Sequence, residues 1–323
     1  MLNNALEAFL DLAGLNLDIK PLHTLSPAQA RATFESSSQR LRWPVPWDLR
    51  VEDLSAVVRD GSSLALRLYR PSVDAGANLP VVLYFHGGGY VVGSLDSHDG
   101  VCRELAGRTR CAVLSVGYRL APEHRFPTAH EDCADAVQWL ATQGRRLGLD
   151  PARVVFAGDS AGATLATALA IEAARQGPQA AITPVGQLLC YPITDASCKR
   201  SSHTVFGEGY LLEDETLDWF YAQYAQSDED RRDWRFSPLL ADELAGLAPA
   251  IILLAGLDPL LDEGKAYAAR LEQAGVDVEC IVAEGLTHDL LRTLSIVPEV
   301  TEVYDQLADG VRRWLQAEGI GSR

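Results

Sequence analysis

The chain has 323 residues, of which 47% are hydrophobic and 22% are charged, and its formal net charge is −16. This balance excludes an intrinsically disordered or collagen-like chain, and the length suffices for a sizeable buried core. The strong negative charge disfavours nucleic acid as a partner, because such a surface repels phosphate backbones.

The N-terminal part of the chain, residues 1–45, carries two helical patterns. Apolar residues recur at helical spacing over residues 2–13, which predicts an amphipathic first helix. Ser26 followed by Pro27 is typical of the N-cap and first position of a second helix, which we expect to end near Leu41.

Strand patterns begin after this segment. Asp60-Gly61 separates two alternating runs, 51–58 and 64–69, and therefore predicts an antiparallel hairpin. Short, wholly apolar runs then alternate with helical patterns, which is typical of a parallel sheet covered by helices on both faces. We expect an α/β fold with a mostly parallel, mixed central sheet, whose last strand lies near the sheet edge. The apolar runs are 81–85, 112–116, 154–157, 187–191, 250–255 and 276–282, and the helical patterns are 128–141, 161–174 and 262–274.

Residues 195–237 interrupt the alternation of strands and helices. They contain no clear strand but include the aromatic residues Trp219, Phe220, Tyr221 and Tyr224 on a helical pattern. One interpretation is an ordinary surface insertion. The other is a helical cap, formed by 1–45 and 195–237, over a core of 46–194 and 238–323, and the aromatic content favours it because exposed rings need a surface to bury against.

Cysteine usage and the N-terminus indicate a cytoplasmic protein with reduced thiols. The six cysteines are scattered without a C-x-x-C pair, so we expect neither a metal site nor a disulfide framework. Residues 1–14 lack a basic region and include Glu7 and Asp11, which argues against a signal peptide. No apolar run approaches 18 residues, so no membrane span is expected.

The segment Gly158-Asp159-Ser160-Ala161-Gly162 follows an apolar strand and opens a helical pattern. This strand–turn–helix context is typical of a nucleophile elbow, in which a sharp turn exposes a serine hydroxyl above the sheet. An ordinary structural turn is the alternative interpretation. Serine is a weak nucleophile at neutral pH, so Ser160 needs a base and a group that orients the base.

His288 is the candidate base. Only His203 and His288 follow Ser160 in the chain, as the usual order of serine, acid and histidine in such folds requires. His203 lies in the expected cap, where a surface role fits better. His288 follows the last predicted strand, at the carboxyl-end loops where catalytic groups gather.

Asp258 is the candidate acid, because it follows the strand that precedes the last one. Asp262 and Glu263 are rivals, but carboxylates are favoured in the first turn of a helix for electrostatic reasons. Asp159 is expected to support the site electrostatically, and Asp159 and Tyr90 are candidate substrate contacts.

Acyl transfer also requires donors for a developing oxyanion. His86-Gly87-Gly88-Gly89 follows the strand 81–85, where such donors are expected. We expect the N–H groups of this glycine loop, in particular those of Gly88 and Gly89, to act together with the N–H of Ala161, while His86 anchors the loop. A phosphate-binding loop is the competing interpretation, but the G-x-G-x-x-G spacing and a following lysine are missing.

Taken together, these motifs resemble the hormone-sensitive-lipase-like carboxylesterases of the α/β-hydrolase fold. The resemblance implies hydrolysis of short- to medium-chain acyl esters by Ser160, Asp258 and His288 through an acyl-enzyme, without a cofactor, under an N-terminal cap that shapes the acyl pocket. It leaves a homodimer open. The chain departs from the family pattern at Ala163 and Asp289, where glycines are usual. The resemblance rests on His86-Gly87-Gly88-Gly89, Tyr118-Arg119-Leu120-Ala121-Pro122-Glu123 with Phe126-Pro127, Gly158-Asp159-Ser160-Ala161-Gly162, and Asp258-Pro259-Leu260 with Asp262-Glu263-Gly264.

Other functions remain open beside ester hydrolysis. Amide or carbamate hydrolysis and deacetylation use the same residues, and the sequence does not separate these leaving groups. Plant gibberellin receptors resemble the same branch but have lost the triad histidine, whereas His288 is present here. A dehalogenase or epoxide hydrolase is disfavoured because Ser160, not an aspartate, holds the central position of the elbow.

Overall fold

The computed structural model describes residues 2–14, 20–72 and 78–317. The expected cap and core include residues 1, 15–19, 73–77 and 318–323, which lie outside the described residues.

A single eight-stranded sheet runs through the described part of the chain, in the order β1-β2-β4-β3-β5-β6-β7-β8. The hairpin β1–β2 is antiparallel, β2 pairs antiparallel with β4, and all remaining neighbours are parallel. The expected mixed, mostly parallel sheet is therefore confirmed, and β8 forms one edge of it as predicted. The strands are β1 (Leu49–Val57), β2 (Ser63–Pro71), β3 (Leu79–Phe85), β4 (Ala112–Gly117), β5 (Leu149–Asp159), β6 (Gly186–Cys190), β7 (Ala250–Leu257) and β8 (Val278–Thr287).

Helices cover both faces of the sheet. Helices α4, α5 and α8 contribute to the hydrophobic cluster on one face, and α1, α3 and α9 contribute to the cluster on the other. Successive β3 residues point to opposite faces, so Leu83 belongs to the first cluster and Tyr84 to the second. The helices are α1 (Asn4–Gly14), α2 (Pro27–Arg40), α3 (Asp99–Thr109), α4 (Thr128–Gln143), α5 (Ala161–Gln176), α6 (Ser201–Phe206), α7 (Asp214–Tyr224), α8 (Leu261–Gln273) and α9 (Val300–Ala317).

The predicted start of α2 is confirmed in atomic detail. The Ser26 side chain accepts a hydrogen bond from the Gln29 N–H at 3.4 Å, and the Gln29 side chain accepts one from the Ser26 N–H at 3.1 Å. This reciprocal capping box satisfies two backbone donors that the first turn leaves unpaired.

Three helices of the described residues, α3, α6 and α9, were not predicted individually from the sequence. Two strands also extend beyond their apolar runs, since β5 already begins at Leu149 and β8 continues to Thr287. The extension of β8 carries the chain to the residue before His288. Among the described residues, no helix is long and apolar enough to cross a membrane.

Candidate active site

Ser160 lies in a sharp turn between β5 and α5. Its backbone φ is 52°, a left-handed value that costs energy for a residue with a side chain. The Ser160 N–H donates to the carbonyl of Cys190 at 2.8 Å, which ties the turn to β6. A Cβ atom at Gly162 would overlap the Phe85 carbonyl, so glycine lets α5 start directly against the end of β3.

The side chains of His288 and Asp258 meet Ser160 at the carboxyl ends of the strands. The His288 Nε2 atom lies 2.9 Å from the Ser160 hydroxyl, and its Nδ1 atom lies 2.7 Å from Asp258 Oδ2. The other Asp258 oxygen accepts the Leu260 N–H at 2.9 Å, which fixes the carboxylate plane. All three side chains are buried. The structure thus brings together the three residues that the motif order singled out.

The surroundings of His288 determine its protonation. An Nδ1–H that donates to Asp258 leaves Nε2 as an acceptor for the Ser160 hydroxyl proton. Burial by itself lowers the pKa of His288, but the negative charge and hydrogen bond of Asp258 outweigh burial, and the pKa is raised above its ordinary value. The ring is therefore a stronger base than a free imidazole.

The glycine loop after β3 presents free backbone donors beside Ser160. The Gly87 N–H donates to Asp159 Oδ1 at 3.0 Å and is therefore already engaged. Within the described part of the chain, the N–H groups of Gly88, Gly89 and Ala161 donate to no other protein group. Gly89 and Ala161 are buried and Gly88 is half-buried. Buried N–H groups are rarely left unpaired, so these donors are available for an oxygen of a bound molecule.

Asp159 is a buried carboxylate that holds the glycine loop in place. Besides Gly87, it accepts a hydrogen bond from the Tyr84 hydroxyl, and it lies 3.2 Å from the His98 Nε2 atom. Burial alone raises the pKa of Asp159, but the attraction and hydrogen bond of His98 and the bond from Tyr84 outweigh it and bring the pKa to about 2. Neither Tyr84 nor His98 was singled out from the sequence.

His86 is buried at the start of the same loop. Its Nδ1–H donates to the Gly87 carbonyl at 2.8 Å, and its ring stacks on that of Tyr118 at 4.3 Å between centroids. Burial, with repulsion from His98, lowers the pKa of His86 to about 3. A neutral, packed ring of this kind anchors the loop.

The rival acids and the second histidine occupy other positions. The Asp262 side chain accepts the Ser202 N–H at 3.0 Å, and the buried Glu263 carboxylate accepts the Thr194 N–H at 2.7 Å. Burial raises the pKa of Glu263 to about 8. His203 is buried, so the expected surface role is wrong, and its Nε2 atom lies 3.7 Å from Glu263. Among the described contacts, none of these three side chains reaches His288.

Aromatic side chains of α7 cover the glycine loop. The Tyr90 ring stacks on Tyr224 at 3.9 Å between centroids. The Phe220 ring lies so close to Gly89 that a Cβ atom there would overlap it. The loop is therefore roofed by rings from the segment that interrupts the alternation of strands and helices.

The N-terminal segment approaches the same loop from another side. The Arg31 Nε of α2 donates to the Val91 carbonyl at 2.9 Å, and the Ser94 hydroxyl donates to Glu35 at 2.6 Å. His23 lies 2.9 Å from the Thr216 hydroxyl, which links this segment to α7. Among the described residues, no group of three or more His, Cys, Asp and Glu side chains could hold a metal ion.

Residues 82–292 match the family of the α/β-hydrolase fold. Over 321 residues the chain is 48% identical to an ethyl acetate hydrolase of Pseudomonas putida, a match that covers 97% of this chain and 99% of that protein. The chain belongs to the hormone-sensitive-lipase-like carboxylesterases of the α/β-hydrolase family. As a member of this branch it is a carboxylic-ester hydrolase.

Solved structures agree with this assignment. An ester hydrolase from the metagenome of Lake Arreo, in complex with a bipyridine phosphonate derivative, superposes on this esterase with a TM-score of 0.92 at 36% identity, covering 97% of this chain and 99% of that one. A thermostable esterase of Pseudomonas putida gives a TM-score of 0.92 at 32% identity and 98% coverage of both chains.

Proposed function

We propose that this chain hydrolyses short- to medium-chain acyl esters, with Ser160 as nucleophile, His288 as general base and Asp258 as the group that orients it. The observation that carries the proposal is the continuous hydrogen-bonded relay, with 2.9 Å between Ser160 and His288 and 2.7 Å between His288 and Asp258. Such a relay activates a hydroxyl that is otherwise a weak nucleophile.

Acylation starts when the Ser160 oxygen attacks the ester carbonyl carbon and its proton passes to His288 Nε2. The N–H groups of Gly88, Gly89 and Ala161 stabilise the resulting oxyanion, and the loss of one such donor typically costs about 3 kcal/mol. The intermediate collapses to acyl-Ser160, and His288 returns the proton to the departing alcohol. Asp258 stabilises the transient imidazolium.

Deacylation repeats these steps with water. His288 accepts a proton from the water as its oxygen attacks the acyl carbon, and the proton passes to the Ser160 oxygen when the second tetrahedral intermediate collapses. The carboxylic acid leaves and Ser160 is restored. Asp159 supports both stages by fixing the loop through Gly87, rather than by entering the reaction.

Residues 1–45 and 195–237 act as a cap over the core of 46–194 and 238–323 in this proposal. The contacts of Phe220 with the glycine loop and of His23 with Thr216 support it. The Phe220 ring lies against Gly89 and the Tyr90 ring stacks on Tyr224, so bulky aromatic side chains border the glycine loop. These rings, together with the similarity to an ethyl acetate hydrolase, favour small acyl groups.

A panel of p-nitrophenyl esters of increasing acyl length, together with ethyl acetate, tests the proposal. We expect the highest kcat/KM with the shorter chains and a loss of about 10⁴-fold or more in Ser160→Ala. Equal hydrolysis of the butyrate ester by the wild type and Ser160→Ala would overturn the assignment. A p-nitroanilide with the same acyl group measures whether the same residues also hydrolyse an amide.

Assembly and location complete the proposal. The outer edge of β8 offers a strand for pairing with a second copy of the chain, so we infer a homodimer, which light scattering on a size-exclusion column tests by its mass. All six cysteines are free thiols, which supports a cytoplasmic location.

A further inference from the structure

Arg292 connects the loop of the catalytic histidine to helix α2. Its Nη1 donates to Asp289 Oδ2 at 2.8 Å, and its Nη2 donates to the Ser38 hydroxyl at 2.6 Å. The guanidinium carbon also lies 4.1 Å from the centroid of the Phe34 ring, within the range of a cation–π interaction. The Arg292 side chain is 6% exposed and that of Asp289 is 31% exposed, so the guanidinium itself is buried.

Asp289 is the residue directly after His288, and its backbone is left-handed. Its φ of 63° is left-handed, a conformation in which most residues with side chains lose energy. The Asp289 carbonyl accepts the Arg292 N–H at 2.8 Å, and its carboxylate accepts the guanidinium. Arg292 thus binds both the backbone carbonyl and the carboxylate of Asp289. The direction in which the His288 side chain leaves the backbone depends on this turn.

Helix α2 contacts the oxyanion side of the site as well. The Phe34 ring stacks with that of His98 at 6.3 Å between centroids, and His98 contacts Asp159. The same turn of α2 therefore touches the residues that hold the glycine loop and, through Arg292, the residues that hold His288.

We propose that Arg292 is a positioning residue, which holds the His288 loop in its reactive geometry and links that geometry to the docking of α2. The inference rests on the proposed function, since it assigns the base to His288. Removal of Arg292 leaves the catalytic side chains intact but releases Asp289 and Ser38 together. The expected loss is therefore in kcat more than in KM.

Arg292→Ala is the main test, measured as kcat and KM with a short p-nitrophenyl ester on the alkaline plateau of each pH profile. We expect kcat to fall by about tenfold or more, because a misplaced base slows every proton transfer. A cavity of about 270 Å³ borders Arg292. We therefore expect millimolar guanidinium, but not urea, to restore part of kcat by occupying the vacated space.

Asp289→Gly removes the carboxylate that Arg292 binds but keeps the left-handed backbone, because glycine adopts a positive φ without strain. It therefore separates the effect of the side chain from that of the backbone. If the pair acts as one unit, Asp289→Gly also lowers kcat, and the double variant is little worse than Arg292→Ala. If the fold-losses in kcat of the two single variants multiply in the double variant, the two residues act independently and the proposal is contradicted.

Arg108→Ala is the matched control. Arg108 is also largely buried and paired, with Glu104 at 2.9 Å, and it lies over the Trp47 ring at 5.6 Å. We expect it to lose stability but to keep kcat and to gain nothing from guanidinium. If Arg292→Ala does not fold, Arg292→Lys, which keeps the charge but not the two-pronged contact, takes its place with a smaller expected loss.

The test of Arg292 is independent of the test of the proposed function. Ser160→Ala decides whether Ser160 is the nucleophile, whatever Arg292 does. A folded Arg292→Ala protein with the kcat of the wild type, or a loss that guanidinium and urea restore equally, would overturn the role of Arg292 alone.

Discussion

The carboxylate of Asp159 accepts the backbone N–H of Gly87 at 3.0 Å and thereby joins the turn that carries Ser160 to the glycine loop. Asp159 precedes Ser160 in the chain, so a single carboxylate holds both the turn of Ser160 and the loop of Gly87, Gly88 and Gly89. The Nε2 atom of His98 lies 3.2 Å from the other oxygen of this carboxylate.

Asp159→Asn is expected to lower kcat by about tenfold or more, since the amide keeps the shape of the side chain but loses the charge that faces His98. Tyr84→Phe, which removes only one hydrogen bond to the same carboxylate, should have a smaller effect. Steady-state kinetics at matched folded concentration checks both, and an Asp159→Asn enzyme as active as the wild type would contradict this role.

Gly88→Ala is expected to reduce kcat by about a hundredfold through distortion of the oxyanion donors. Gly88 has a φ of 115°, and a Cβ atom there would overlap the Val92 carbonyl. Gly61→Ala is the control, because Gly61 also has a positive φ, of 86°, but nothing lies within 4 Å of its Cβ position. Both changes cost about 1 kcal/mol of stability through the positive φ, and the overlap with Val92 adds to this cost in Gly88→Ala. Only Gly88→Ala should affect kcat.

The pH profile of kcat/KM should have an acid limb above 6.5, the ordinary pKa of histidine. The reason is that His288 must be neutral to accept a proton, and Asp258 raises its pKa, so activity is lost as the pH falls through this raised value. Asp258→Asn should move the limb to lower pH and lower kcat by about 10³- to 10⁴-fold. If the acid limb of Asp258→Asn lies at the same pH as that of the wild type, a group other than His288 titrates.

Glu104→Gln should destabilise the fold by about 2 kcal/mol. The buried Glu104 carboxylate accepts the indole N–H groups of Trp43 at 3.0 Å and Trp47 at 2.9 Å, and in glutamine one of these donors faces an NH₂ group. Urea unfolding followed by tryptophan fluorescence measures the loss. Glu279→Gln, in the half-exposed pair with Arg313, should change stability by less than about 1 kcal/mol.

The parallel sheet was predictable because its strands are buried on both faces and therefore appear as continuous apolar runs. The extension of β5 towards its N-terminus was not predictable, because Asp150, Pro151 and Arg153 are polar or strand-breaking residues. Helix α3 escaped prediction because its sequence contains Gly100 and Gly107, which the rings of Trp43 and Trp47 approach closely in the fold.

The proximity of Ser160, Asp258 and His288 was predictable from local motifs and chain order. The groups that hold these side chains in place depend on contacts between distant residues. His98 is separated from Asp159 by 61 positions, and Ser38 is separated from Arg292 by 254. Neither contact leaves a periodic or spacing signal in the sequence, because the fold alone brings the partners together.

Helix α2 is expected to detach locally at a temperature below the one at which the whole domain of this esterase unfolds. Only Ala30 and Ser38 of the helix are buried, yet it supports both the His288 loop and the His98 side of the site. Elements with little buried surface open locally at a lower free energy than the whole domain. Turnover is therefore expected to decline on heating while the far-UV circular dichroism of the sheet is still native.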